Sequence, residues 1–167
     1  VNSTGSRNVF MGAASGLANL SGNDNVFMGT QSGRSNLEGD NNVFLGTETG
    51  FNNTTGSDNV FLGFTSGRSN TTGISNVFIG TGSGSSNQTG VGNVFLGFNS
   101  GYTNIAGNNN VFLGTEAGTS NTGDRNIFLG FNAGKNSTGT GNIFIGANAG
   151  SSETRDSILL ITSTIDR

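Results

Sequence analysis

Residues 56–72 read GSDNVFLGFTSGRSNTT, and residues 73–89 read GISNVFIGTGSGSSNQT. Laid over each other they share Gly at positions 1, 8 and 12, Asn at positions 4 and 15, and a Val-Phe-aliphatic triplet at positions 5–7. A short self-similar unit of this kind marks a repeat architecture and outranks any residue-by-residue reading. The full pattern is G-x-x-N-[VI]-F-[MLI]-G-x-x-[SAT]-G-x-x-N-x-x. It opens at Gly5, Gly22, Gly39, Gly56, Gly73, Gly90, Gly107, Gly123 and Gly139, spaced by 17 residues six times and then by 16 twice. Two more glycine columns, Gly12 to Gly146 and Gly16 to Gly150, follow the same spacing, so nine copies absorb 27 of the 30 glycines.

Other columns are as regular. Asn8, Asn25, Asn42, Asn59, Asn76, Asn93, Asn110, Asn126 and Asn142 precede the apolar triplet. Phe10, Phe27, Phe44, Phe61, Phe78, Phe95, Phe112, Phe128 and Phe144 sit at its centre. A second Asn column runs Asn2, Asn19, Asn36, Asn53, Asn70, Asn87, Asn104 and Asn121. Because Asn2 already fits that column, the chain starts at Val1 in mid-repeat, as expected for a piece of a longer protein.

Each repeat is too short and too rich in Gly for a helical pair, since Gly costs about 1 kcal/mol per helix position. Asn-Val-Phe-Leu-Gly reads as one short strand of high β-propensity bounded by turn residues. The glycine columns suit corners at positive φ, and stacked Asn suits amide ladders between successive coils. The fold expected is all-β: a parallel β-solenoid of nine 16–17-residue coils, each strand-turn-strand-turn. At about 4.8 Å per coil it makes a rod roughly 43 Å long. Residues 1–154 form the repeat shaft. Residues 155–167 form a degenerate final coil, a cap or a transition, because Arg155-Asp156-Ser157-Ile158-Leu159-Leu160-Ile161 keeps a strand pattern but loses the Phe and the following Gly.

Side chains alternate across a strand. Phe61 therefore points one way while Val60 and Leu62 point the other, and both faces are apolar in all nine copies. One face fills the coil; which one, the pattern alone leaves open. The other would leave a continuous apolar stripe, and soluble monomers rarely expose more than a few hundred Å² of that kind. The expectation is burial against identical chains about a common axis, most simply as a homotrimer. The Phe column is the expected buried or oligomer column.

Asn-Val-Phe-Leu-Gly-x-x-Ala-Gly-x-x-Asn resembles the Gly-punctuated repeats of trimeric autotransporter adhesin heads. It is more similar still to the repeat shafts of phage and phage-derived injection-system tail fibres. The resemblance covers residues 2 to about 154; adhesin heads typically use a shorter repeat, with Ala where this chain has Phe. It implies a β-roll or β-helix fold and a rigid, homotrimeric spacer in an extracellular, cell-surface or virion setting, and it identifies no ligand.

Composition narrows the chemistry. Hydrophobic residues make up 31% of the chain and charged residues 10%, so neither a thick core nor charge-driven disorder fits. The chain has no His and no Cys, hence no imidazole or thiolate for a metal or a catalytic triad. Seven Lys+Arg against ten Asp+Glu include no basic run, so no nucleic acid is expected. The longest apolar stretch, Ile158 to Ile161, is far below the roughly 20 residues of a membrane span, and no membrane insertion is expected. Asp24, Asp40, Asp58 and Asp124 precede strands without converging, so no metal or cofactor is assigned. Glycosidase chemistry needs two carboxyls about 5–9.5 Å apart, whereas Glu48 and Glu116 lie four coils, roughly 19 Å, apart. No enzyme activity is expected. The Asn-x-Ser/Thr sequons, Asn53 and Asn70 among them, follow from an Asn column set before Thr-rich turns.

Two variable columns remain. The position after the third Gly reads Leu17, Arg34, Phe51, Arg68, Ser85, Tyr102, Thr119, Lys135, Ser151. Arg34, Phe51, Arg68, Tyr102 and Lys135 form a candidate ligand edge for a cell-surface glycan or receptor, against a plain solvated corner. A second column alternates Thr47, Phe64, Thr81, Phe98, Thr115, Phe131, and reads as large-against-small packing before it reads as an aromatic platform. The function expected is therefore a structural fibre shaft. The alternative is a rod that itself binds a receptor or glycan, and a third reading is a monomeric solenoid whose flat face binds ice or a surface.

Overall fold

A computed structural model describes residues 3–162; Asn2 and the last five residues of the degenerate terminal segment lie outside them. The fold is a parallel β-solenoid of about nine coils of roughly 17 residues. Each coil contributes one three-residue strand: β1 (Val9–Met11), β2 (Val26–Met28), β3 (Val43–Leu45), β4 (Val60–Leu62), β5 (Val77–Ile79), β6 (Val94–Leu96), β7 (Val111–Leu113), β8 (Ile127–Leu129) and β9 (Ile143–Ile145), with β10 (Leu159–Ile161) closing the series. The ten strands form one sheet in sequence order. Register is uniform: Val60 pairs with Val77, Phe61 with Phe78, Leu62 with Ile79, and so on along the rod. The degenerate segment keeps that register, with Leu160 beside Phe144.

The expected second strand of each coil does not form. The far side is a run of turns whose amides still bridge coils one to one: Gly67 N donates to Ser83 O (3.0 Å), Ser69 N to Ser85 O (2.9 Å) and Thr71 N to Gln88 O (2.9 Å). On the far side residues 64–69 are consecutive turns, with Gly67 in left-handed backbone at φ +57°, which extended strand cannot pass through. Besides the glycine columns, two further columns in each coil adopt left-handed backbone, one before and one after the strand triplet, and they hold it to three residues. Among the described residues sixteen members of these two columns are not glycine, Asp58, Thr65 and Glu48 among them, with φ between 52° and 59°. Gly82, Gly92 and Gly141, the three glycines outside the regular columns, fall in these same two places.

The phenylalanine face turns inward. Phe27, Phe44, Phe61, Phe78, Phe95, Phe112, Phe128 and Phe144 are wholly buried. Their rings stack in one file with Phe10, at centroid spacings of 4.7–5.0 Å and interplanar angles of 4–11°. Phe10 departs from the expected burial and is only partly covered, because β1 has a neighbouring coil on one side only among the described residues. Burying each of the other rings contributes on the order of 1.5–3 kcal/mol.

Beside this single file of rings the interior is polar, which is how a chain with so few apolar residues closes a core. Asn59 donates its backbone N–H and its side-chain amide to Asn42 Oδ1 (3.1 and 3.2 Å), and the amide also reaches Gly73 O (2.8 Å). The same arrangement recurs from Asn42 to Asn110. From Asn25 to Asn142 the column is wholly buried, and Asn8, in the first coil, is partly so. Ser66 Oγ donates to Phe78 O (3.0 Å), and in later coils Ala117, Ala133 and Ala149 fill that place. Buried polar groups are tolerated when each finds a partner.

The second Asn column is also a ladder, but it changes direction. Asn36, Asn53 and Asn70 each donate at 2.7 Å to the Oδ1 of the preceding coil's Asn. Asn87 and Asn104 instead donate forward to backbone carbonyls of the next coil. The Oδ1 atoms of Asn70 and Asn87 are left buried without a hydrogen-bond partner at the reversal.

The glycine columns serve different ends. Gly63 turns the corner after β4 at φ +127°, and Gly67 lies at φ +57° against the Phe61 ring, where a Cβ would collide. The first column has no positive φ. At Gly56 a Cβ would stand 2.5 Å from Gly73 O, so close approach of coils is what excludes a side chain there.

Candidate functional surfaces

With Phe inside, the flanking strand residues face outward. Twenty positions, two per strand over ten strands, carry only Val, Ile, Leu or Met. Val60 is 37% exposed, Leu62 40%, and Leu159 and Ile161 in the last strand 66% each. No polar side chain interrupts this face, because the strand triplet has none to offer.

Two residues beyond the outer Leu column stand Phe64, Phe98 and Phe131, all about half exposed. They belong to alternate coils, with Thr47, Thr81 and Thr115 between. Rings of this column therefore fill no space inside their own coil, and alternation keeps exposed neighbours two coil steps apart.

The candidate ligand edge is drawn together in part. Arg34 and Arg68, one coil to either side of Phe51, each place a guanidinium over its ring at 5.3 and 5.1 Å. Arg68 Nε also donates to Glu48 Oε2 at 2.7 Å. Both faces of Phe51 are thus occupied from within the chain, and a sugar would have to displace an arginine to stack there. Tyr102 is exposed two coils beyond Arg68, and Lys135 pairs with Glu116 through Oε2. The ion pairs Glu48–Arg68 and Glu116–Lys135 were not read from sequence. Their signal is a separation of one coil plus three residues, which brings the left-handed column over the next coil's edge.

The carboxylates considered for metal or acid–base work are dispersed. Among the described residues no group of three or more Asp and Glu side chains converges on one point, and no pocket opens on the rod. Arg7 binds Asp24 in the first two coils and holds its carboxyl below the usual range. Near the other end the Arg155 guanidinium, with its own backbone N–H, lowers the Glu153 carboxyl to about 2.

Compared with protein-family models, with curated proteins and with solved structures, the chain matches none. The class that the geometry defines is a regular β-solenoid repeat module.

Proposed function

We propose that this chain is a structural shaft: a stiff, homotrimeric spacer in a fibre of the tail-fibre or surface-adhesin type that its repeats resemble. The observation that carries the reading is the unbroken Val/Ile/Leu/Met face of the ten-stranded sheet. A stripe of that length gains from covering, and identical rods set side by side match it over its full length. Rigidity follows from the interior, where each coil is tied to the next by backbone bridges, stacked rings and an amide ladder.

Native mass by light scattering tests the reading. A species of three times the 16.9 kDa chain mass is expected. Leu62→Lys with Leu96→Lys, which sets charge on the outward face alone, should reduce it to one chain mass without loss of β-structure. A wild-type monomer with that face open to water would sink the trimer and leave a surface-binding solenoid as the better account.

A further inference from the structure

The outward columns carry an aliphatic Val, Ile, Leu or Met in every coil, so they hold chains together while saying little about which level meets which. A uniform stripe specifies register weakly. The one apolar column bordering that face that changes from coil to coil is Phe64, Phe98 and Phe131 alternating with Thr47, Thr81 and Thr115. We infer that this column is the register key of chain association: it lies at the common axis, where each of its three rings meets its own counterparts in the other copies of the chain. The inference rests on the oligomer proposed above.

Area and symmetry support a second copy as the occupant. Nine coil steps of about 4.8 Å by three columns at about 3.3 Å per residue give roughly 430 Å² in flat projection. The accessible area of projecting side chains is larger than that, on the scale of the ~800 Å² per partner in a standard interface. Identical chains closed around an axis meet at equal levels. Rings then gather at the levels of coils 4, 6 and 8, and the threonine levels between leave room that rings at every coil step would lack. A chain displaced by one step would set its rings against threonines and lose every ring–ring contact.

The chain contains no cysteine, so an introduced thiol reports alone. Phe98→Cys should oxidise to a disulfide-linked dimer at least ten-fold faster than Ile105→Cys, which is about equally exposed in another column. In a Phe64→Thr, Phe98→Thr, Phe131→Thr background, mixing Val77→Cys with Val94→Cys chains should give several-fold more of the mixed disulfide than in the wild-type background, because one-step slips are then open. Equal oxidation at 98 and 105 in an intact oligomer would overturn the inference while leaving the oligomer standing. So would a triple variant that dissociates, since the column would then be supplying affinity rather than register. A wild-type mass of one chain would overturn both readings.

Discussion

Asn42 donates both its backbone N–H and its side-chain amide to one acceptor, Asn25 Oδ1, at 2.9 and 3.1 Å, and both residues are wholly buried. Repeated at each coil, this relationship converts a polar residue into the interior's second structural column. It also makes each Asn responsible for partners in two neighbouring coils.

Asn59→Leu tests that dependence. Leu matches the volume but leaves the Asn76 N–H without its acceptor, while Asn42 Oδ1 keeps the backbone N–H of residue 59 and Gly73 O keeps the Asn70 amide. At about 1–3 kcal/mol per unsatisfied buried group the loss should be on the order of 1–3 kcal/mol. Urea denaturation measures it, and amide exchange at Asn76 should accelerate. A loss below 1 kcal/mol would mean the ladder is not what secures the coils.

Gly67→Ala and Gly141→Ala separate conformation from collision. Both glycines have positive φ, but a Cβ at Gly67 strikes the Phe61 ring while one at Gly141 meets only Ser157 Oγ at 3.6 Å. The Gly141 variant should cost about 1 kcal/mol, from backbone strain alone. The Gly67 variant adds an overpacking term of about 1–3 kcal/mol. Thermal unfolding of the two should rank them in that order.

Thr65 is β-branched yet sits at φ 53°, a conformation that L-residues with a branched Cβ resist. Thr65→Gly should stabilise by roughly 0.5–1 kcal/mol, the relief of strain exceeding the added chain entropy. A raised melting temperature checks it; a lowered one would show that the Thr side chain contributes more than its backbone costs.

The Glu153 carboxyl has its pKa lowered to about 2 from 4.5, chiefly by hydrogen bonds from the Arg155 side chain. A depressed carboxylate pKa favours the folded end above the ordinary value, and that contribution is lost as pH falls through about 2. Direct titration by NMR should place the midpoint near 2 in the wild type and return it toward the ordinary value in Arg155→Ala. The group is exposed, so high salt should shift it the same way.

Phe51→Ala with Tyr102→Ala addresses the edge. With both Phe51 faces covered by Arg34 and Arg68, the pair should leave native mass unchanged and alter no binding on a glycan array. Loss of a glycan signal from an intact oligomer would instead establish the edge as a binding surface.

How much of this was legible in the chain follows from what repeats. Phe61 and Asn59 recur in every coil, and a column that recurs at one spacing in a stacked fold must lie on itself, so strand, parallel register and amide ladder were readable from spacing. The sense of the strand was not. Phe61 and Val60 are both apolar, and alternation shows that they oppose each other without showing which faces in. Only the closed coil decides it: the ring fits between the Asn columns and over Gly67, where no Cβ competes, and Val and Leu are left outside. The three-residue length of the strand was hidden for a related reason. Left-handed backbone at Asp58 and Thr65 is not signalled by residue type, since Arg, Ala and Glu also take those places; it is imposed by the need to turn the chain once per coil. The Asn70–Asn87 reversal and the Glu48–Arg68 pair likewise depend on which side chains the stacking brings within reach. Spacing along the chain determined what stacks on what, and the geometry of closing each coil determined which side of every stack meets water.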